Sequence, residues 1–145
     1  MVAERVPVVV SEMEADPLHV PFHQLCSFLS AFRLSRPPHN ERELEAEVMT
    51  YLARCGVDRE SQKGSTLGRF DIVVNHGGMR ICLELKKHAT SSCAEQLDRY
   101  ARDFDGLILL CFKATRPLHA IFKEGQRSAK IPIALIEVRK NCEMV

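Results

Sequence analysis

The chain has 145 residues, of which 46% are hydrophobic and 27% are charged. This length and composition predict one compact domain with its own core and exclude a disordered tail or a fibrous protein. The longest uninterrupted apolar run, residues 107–112, is much too short to cross a bilayer, so we expect no membrane-spanning segment.

The formal net charge of +1 does not by itself predict a partner. Residues 1–79 contain 8 basic and 11 acidic side chains, whereas residues 80–145 contain 12 and 8. On charge alone, two solvated faces explain this gradient better than a phosphate-binding surface. Acidic residues near the start of the sequence are unfavourable for a secretory signal peptide. The six cysteines include no Cys-x-x-Cys pair, which favours buried reduced thiols. Together these features predict an intracellular protein, in the cytoplasm or nucleus.

The first forty residues are predicted to be an accessory segment with one helix. Apolar residues recur at near-helical spacing over residues 21–33, after a proline suited to a first helical turn. We expect this apolar stripe to pack on the main body or on a second copy of the chain. Prolines at positions 37 and 38 end the segment, so the main domain is predicted to span residues 41–145.

A helix is predicted over residues 41–55. Asn40 followed by Glu43 resembles a capping box, and the apolar stripe of the helix ends before Gly56. At about 100° per residue, Glu41 falls close to the centre of this stripe and Glu45 about 60° from it. These two carboxylates therefore lie at the edge of the buried face, where a charge needs a partner.

The apolar period then changes from helical to alternating. Strands are predicted at residues 68–74 and 79–86, with a four-residue loop at 75–78 between them and a weaker strand at 57–63 before them. A capping box opening at Ser92 predicts a helix to about Phe104, and Gly106 ends it. Strands at 107–112 and 131–138 follow, separated by a charged stretch with room for a short helix.

The second strand of the hairpin carries the most informative pattern. Glu84 and Lys86 share one face, because side chains alternate along a strand and the odd-numbered positions 81, 83 and 85 are apolar. A four-residue loop would leave Val74 opposite Met79. Asp71 would then lie on the same face as Glu84 and diagonal to it, at a distance of about 7–8 Å that two carboxylates close around one cation.

Two carboxylates suit a hard divalent ion such as Mg²⁺, for which Mn²⁺ substitutes. A lysine beside them can orient or deprotonate a metal-activated water and neutralise charge on a phosphoryl group. The pattern therefore favours hydrolysis of phosphodiesters. An ordinary strand ion pair between Glu84 and Lys86 is the alternative explanation of the same residues.

With these motifs, the chain resembles the PD-(D/E)XK, or restriction-endonuclease-like, nuclease superfamily. The segment Gly-Arg-Phe-Asp at 68–71 is similar to the first motif of the family, Leu-Glu-Leu-Lys at 83–86 to the second, and the segment from Glu95 to Tyr100 to a helix-borne glutamine motif. The resemblance covers residues 41–138. It implies an α/β fold with an αβββαβ core, in which helices flank a central mixed sheet of four to five strands.

The resemblance also implies roles for single residues. Asp71 and Glu84 would bind the metal, with the carbonyl of Leu85 helping, and Lys86 would serve the attacking water. Glu45 would complete the site from the first core helix, with Glu41 as the reserve candidate, and Gln96 would reach in from the following helix. The candidate contacts to nucleic-acid phosphate are Arg69, Lys87 and His88.

The implied activity is that of a Mg²⁺-dependent endonuclease acting on duplex or branched DNA. Resolvases of this fold are dimers, so a homodimer is one expectation for the N-terminal stripe. The alternative function is a catalytically inactive module of the same fold that binds nucleic acid or a protein partner.

Overall fold

The computed structural model of the chain describes residues 8–10, 19–61, 72–124 and 131–140. Four helices lie in these ranges: α1 (Val20–Ser30), α2 (Glu41–Arg54), α3 (Ser92–Tyr100) and α4 (Arg116–Glu124). The strands are β1 (Val8–Val10), β2 (Arg33–Leu34), β3 (Asp58–Ser61), β4 (Ile72–His76), β5 (Met79–Ala89), β6 (Gly106–Ala114), β7 (Ile133–Glu137) and β8 (Arg139–Lys140).

A mixed sheet forms the centre of the molecule. Its five longer strands follow the order β7-β6-β5-β4-β3, and the short β1 pairs with β7 as a sixth strand at the edge. Strands β5, β6 and β7 are parallel, whereas β3 and β4 are antiparallel to their neighbours. The predicted α/β class and central mixed sheet are thus confirmed, and β1 was not predicted.

Helices cover both faces of the sheet, in three layers. One core cluster joins α1 and α2 to Met79, Ile81, Leu83 and Leu85 of β5, and a second joins α3 and α4 to the other face. Strand β6 is apolar and buried on both faces over residues 107–111, as its continuous apolar run predicts. Among the described residues, no helix has both the length and the apolar character to span a bilayer.

Helix α2 begins where the sequence predicts it. The side chain of Asn40 accepts a hydrogen bond of 2.9 Å from the backbone N–H of Glu43. The Glu43 carboxylate accepts from the N–H of His39 at 3.2 Å, so the return bond of the capping box falls one residue earlier than in the standard motif. The side chain of Asn40 thus fixes the first turn of a helix whose acids were predicted to reach the site.

The hairpin and the start of α3 correct two predictions. The predicted four-residue loop is wrong: β4 continues through His76, and Gly77 and Gly78 form a two-residue turn with positive φ angles of 58° and 84°. Val74 therefore pairs with Ile81 rather than with Met79.

The capping box at Ser92 is also wrong. Ser91 is the N-cap residue, has helical dihedrals and makes no side-chain capping bond. The backbone carbonyls of Thr90 and Ser91 instead accept from the N–H groups of Cys93 and Ala94, at 2.9 and 3.2 Å. Helix α3 also ends at Tyr100, before the predicted Phe104.

Helix α1 packs on the sheet of its own chain. Its apolar residues Phe22, Leu25 and Leu29 are fully buried in the cluster that also contains α2. A Cβ atom on Gly106, the first residue of β6, would lie 2.6 Å from the Phe22 ring, so the helix sits directly against the sheet. Of the two predicted packing partners for this stripe, the structure shows the main body.

Candidate functional site

Strand β5 lies between β4 and β6 and carries the central candidates. Its side chains Ile81, Leu83 and Leu85 pack in the layer of α1 and α2, whereas Cys82 packs in the layer of α3 and α4. Glu84 alternates with Leu83 and Leu85, so it lies on the α3 and α4 face, in register with Leu109 of β6. The site candidate is therefore placed on the face that α3 covers.

Glu84 and Lys86 form an ion pair within the sheet. The Lys86 Nζ lies 3.7 Å from Glu84 Oε2, and the two side chains are 25% and 1% exposed. Glu84 is the one charged residue that is fully buried among the described residues. Because desolvating a carboxylate costs several kcal/mol, a charge at the centre of a sheet is retained only with polar partners, and such groups cluster at functional sites.

Two predicted site residues, Arg69 and Asp71, lie outside the described residues. In the sequence, Asp71 immediately precedes Ile72, and Ile72 pairs with Leu83, the neighbour of Glu84. The two-residue error in the hairpin loop does not change the faces of the described β4 residues Ile72, Val73 and Val74, since side chains alternate with period two. Within the described ranges, no three or more His, Cys, Asp and Glu side chains form a group able to hold a metal ion.

The structure separates the two helix acids. Glu41 Oε2 accepts a hydrogen bond of 3.2 Å from the backbone N–H of Lys87, and Lys87 Nζ donates to the His39 carbonyl at 3.3 Å. Glu45 Oε2 instead accepts from the hydroxyl of Ser61 on β3, at 2.7 Å. Glu41, the reserve candidate, is thus the helix acid that contacts β5. Its hydrogen-bond partner on this strand, Lys87, directly follows Lys86 in the sequence.

Gln96 and Leu85 complete the predicted set. Gln96 lies on α3, the helix that packs on the face of Glu84, and its side chain is half-buried. Its Oε1 atom is buried and has no hydrogen-bond partner among the described residues. The Leu85 side chain is buried in the opposite layer, between α2 and the sheet. An orphaned buried amide oxygen on α3 needs an explanation, and a ligand or water at the site would supply one.

The sequence analysis missed a polar row on the same face. In the register of the parallel strands, Lys86 pairs with Cys111 and Cys111 pairs with Glu137. Glu137 accepts a hydrogen bond of 2.8 Å from the Ala114 N–H, and its other oxygen lies 3.3 Å from His119 Nε2. The signal was available, because Glu137 is an acid at the end of an otherwise apolar strand.

Burial controls the chemistry of Cys111 in this row. Desolvation, and to a smaller extent the neighbouring Glu137 and Cys93, raises the pKa of the Cys111 thiol far above its usual range. The thiol is therefore neutral at physiological pH and is neither a nucleophile nor a thiolate ligand. Of the described cysteines, Cys26, Cys82, Cys93 and Cys111 are buried thiols, as the sequence predicts, whereas Cys55, which the apolar pattern of α2 also predicts to be buried, is only half-buried.

A cavity of about 530 Å³ lies elsewhere, between α2 and β2. Arg33, Tyr51 and Arg54 are among its lining residues, and Glu84, Lys86 and Gln96 are not. The cavity is thus separate from the ion pair of Glu84 and Lys86 and from Gln96.

Comparison of the chain with protein-family models, curated proteins and solved structures gives no match. The interpretation of the site therefore depends on its own residues and geometry, and the PD-(D/E)XK resemblance on the motifs at 68–71, 83–86 and 95–100.

Proposed function

We propose that the protein is a divalent-metal-dependent nuclease of the PD-(D/E)XK type that hydrolyses phosphodiester bonds of DNA. The ion pair between the buried Glu84 and the partly exposed Lys86 carries this proposal. It lies on a central strand, on the face covered by the helix that bears Gln96. A charged pair at this position costs stability, so a chemical role explains it better than a purely structural one.

The donor set fits a hard cation. Glu84 supplies a carboxylate, and we expect Asp71 and the carbonyl of Leu85 to supply further oxygen ligands. A bound Mg²⁺ or Mn²⁺ would lower the pKa of a coordinated water and neutralise charge on the phosphate. The proposal requires Asp71 for the site, since within the described residues no metal-binding group of three acids, histidines or cysteines occurs.

Lys86 acts as the cationic group of the site. Its ammonium, held within 3.7 Å of Glu84, can donate hydrogen bonds to a phosphate oxygen or orient the attacking water. Its side chain is 25% exposed, so solvent and substrate can reach it. Gln96 would use its amide to position the same phosphate or water.

Glu41 is the helix acid that the geometry favours. Its carboxylate accepts a hydrogen bond from the backbone N–H of Lys87, whereas the Glu45 carboxylate accepts one from the Ser61 hydroxyl on β3. A carboxylate at the amino end of α2 and the carboxyl end of β5 can accept a proton or bind water of the metal shell. We therefore infer that Glu41 takes the role that the sequence assigned first to Glu45.

A cleavage assay tests this function. The purified chain is incubated with Mn²⁺ and plasmid, single-stranded, branched and RNA substrates, and compared with Lys86→Ala and with Arg102→Ala, which removes an exposed charge elsewhere. We expect cleavage of at least one DNA substrate, a loss of about a hundredfold or more in Lys86→Ala, and no loss in Arg102→Ala.

Two outcomes contradict the proposal. If no substrate is cut, the chain is not a nuclease of this kind, and DNA binding without cleavage favours the alternative of an inactive binding module. If Lys86→Ala cleaves as fast as the unmodified chain, the observed activity does not come from this site.

A further inference from the structure

Basic residues gather at one edge of the sheet, next to Lys86. Strands β5, β6 and β7 are parallel, so their carboxyl ends lie at a common edge. Lys87 and His88 lie near the end of β5, Lys113 near the end of β6, and Arg116 is the first residue of α4. We name these four residues the basic edge.

The register places members of the basic edge side by side. His88 pairs directly with Lys113 across β5 and β6, and neighbouring strands are about 4.8 Å apart. His88, Lys113 and Arg116 are exposed, and Lys87 is half-exposed. The exposed side chains of His88 and Lys113 thus lie side by side, where both can donate hydrogen bonds to one external anion.

The cationic groups of the basic edge form no ion pair within the part of the chain that the structure describes. Among the described residues, no carboxylate oxygen lies within 4.0 Å of a side-chain nitrogen of Lys87, Lys113 or Arg116. Glu137, the acid at the end of β7, is engaged by the Ala114 N–H and by His119. Glu41 and Glu137 keep their negative charge at this end of the sheet. The exposed side chains of Lys113 and Arg116 are therefore the members of the basic edge best placed to contact a partner.

The polarity of the fold adds to this charge. Helices α3 and α4 begin directly after β5 and β6, so their amino termini, which carry partial positive charge, lie at the same edge. The amino ends of the parallel strands lie at the opposite edge. There the Asp105 carboxylate accepts a hydrogen bond of 2.8 Å from the backbone N–H of Arg80, and the Arg80 guanidinium donates a hydrogen bond to the backbone carbonyl of Asp103. The two edges of the parallel strands thus differ in charge.

We propose that the basic edge binds the phosphate backbone of the nucleic-acid substrate and leads it from Arg116 and Lys113 towards Lys86. The identity of the polyanion rests on the proposed function, whereas its position rests on the geometry of β5, β6 and α4. Lysine and arginine side chains in a row contact successive phosphates without reading bases, so this surface confers affinity rather than sequence preference.

The test is DNA binding measured by fluorescence anisotropy in EDTA, where cleavage is absent. Lys113→Gln/Arg116→Gln is compared with Arg99→Gln/Arg102→Gln, which removes the same charge from exposed residues towards the other end of α3. We expect the first variant to bind duplex DNA several-fold more weakly. The slope of log K against log salt should fall in magnitude by about 1.8, as for two lost phosphate contacts, and the second variant should keep the slope of the unmodified chain.

The possible results separate the inference from the proposed function. If both double variants weaken DNA binding equally, or if Lys113→Gln/Arg116→Gln has no effect on it, the inference that the basic edge binds DNA is wrong, even if the chain cleaves DNA. Poly-glutamate binding as tightly as DNA overturns the nucleic-acid assignment. If binding depends on Lys113 and Arg116 but no substrate is cleaved with Mn²⁺, the basic edge stands and the nuclease proposal fails.

Discussion

Glu84 and Lys86 place two charges beside strand β6, which contributes apolar side chains at the paired positions. The register partner of Glu84 is Leu109, and the partner of Lys86 is the buried Cys111. The pairing of Glu84 with Lys86 reduces the cost of this burial, although a pair of apolar residues at these positions would stabilise the sheet as well or better. The site residues are thus in a location where function and stability compete.

A double-mutant cycle measures this competition. Lys86→Met removes one partner and leaves the buried carboxylate, so we expect the free energy of unfolding to fall by about 1–3 kcal/mol. The double variant Glu84→Gln/Lys86→Met should lose less than the sum of the two single variants, because the charges are removed together. Urea unfolding of the four proteins gives these values, and strictly additive losses would show that the two residues do not interact.

Cys26 gives the fold a sensitivity to alkaline pH. Burial raises the pKa of its thiol from 9.0 to about 12. Because the folded-state pKa is the higher one, the thiol's contribution to stability is complete below pH 9 and is lost as the pH rises towards 12. We expect Cys26→Ala to show a shallower fall of the unfolding free energy over this range, measured by urea unfolding at several pH values. Parallel curves for the two proteins would contradict this assignment.

At the scale of elements, the β4–β5 hairpin decides which side chains share the face of Glu84. The sequence Asn-His-Gly-Gly was interpreted as a four-residue loop, whereas only the two glycines turn. Both registers place Val73 on the face of Cys82 and Glu84, because they differ by two residues. The face of the described β4 residues could therefore be predicted from alternation alone, while the register required the backbone conformation at Gly77 and Gly78.

The two turn glycines differ in their surroundings. A Cβ atom at Gly77 would lie 2.5 Å from the ring of Pro21 at the start of α1, whereas one at Gly78 would meet nothing within 4 Å. We expect Gly78→Ala to cost about 1–2 kcal/mol from its positive φ alone, and Gly77→Ala to cost more because α1 must also move. Thermal unfolding of both variants gives the comparison, and an equal loss would show that Pro21 does not constrain the turn.

Helix ends show the limit of local motifs. Asn40 caps α2 as its sequence predicts, but the similar Ser-x-x-Glu pattern at Ser92 makes no cap, because backbone carbonyls one and two residues earlier satisfy the first N–H groups of α3. The choice between Glu41 and Glu45 likewise could not be made from helical angles. It depends on where α2 lies relative to β3 and β5, which is a long-range property of the sheet.

Over the whole molecule, the sequence predicts helices flanking a central mixed sheet but not the short strands β1, β2 and β8 or the position of α1. The apolar stripe was compatible with packing on the sheet or on a second copy, and periodicity cannot distinguish them. In the structure, Phe22 lies against Gly106 at the start of β6, so α1 shares the core of residues 41–138.

Phe22 and Phe28 provide a matched test of this packing. Phe22 is 0% exposed, whereas Phe28, on the same helix, is half-buried. We expect Phe22→Ala to lower the free energy of unfolding by about 3–5 kcal/mol and Phe28→Ala to lower it clearly less. Urea unfolding measures both, and a small loss in Phe22→Ala would mean that α1 is not part of the common core.

The most direct test of the proposed metal centre is a crystal of the chain soaked in Mn²⁺, with the anomalous signal of manganese used to locate the ion. We expect one ion bound by the carboxylates of Glu84 and Asp71, close to Lys86, and its loss in Asp71→Ala. No ion beside Glu84 at high Mn²⁺, or an ion that persists in Asp71→Ala, would contradict it.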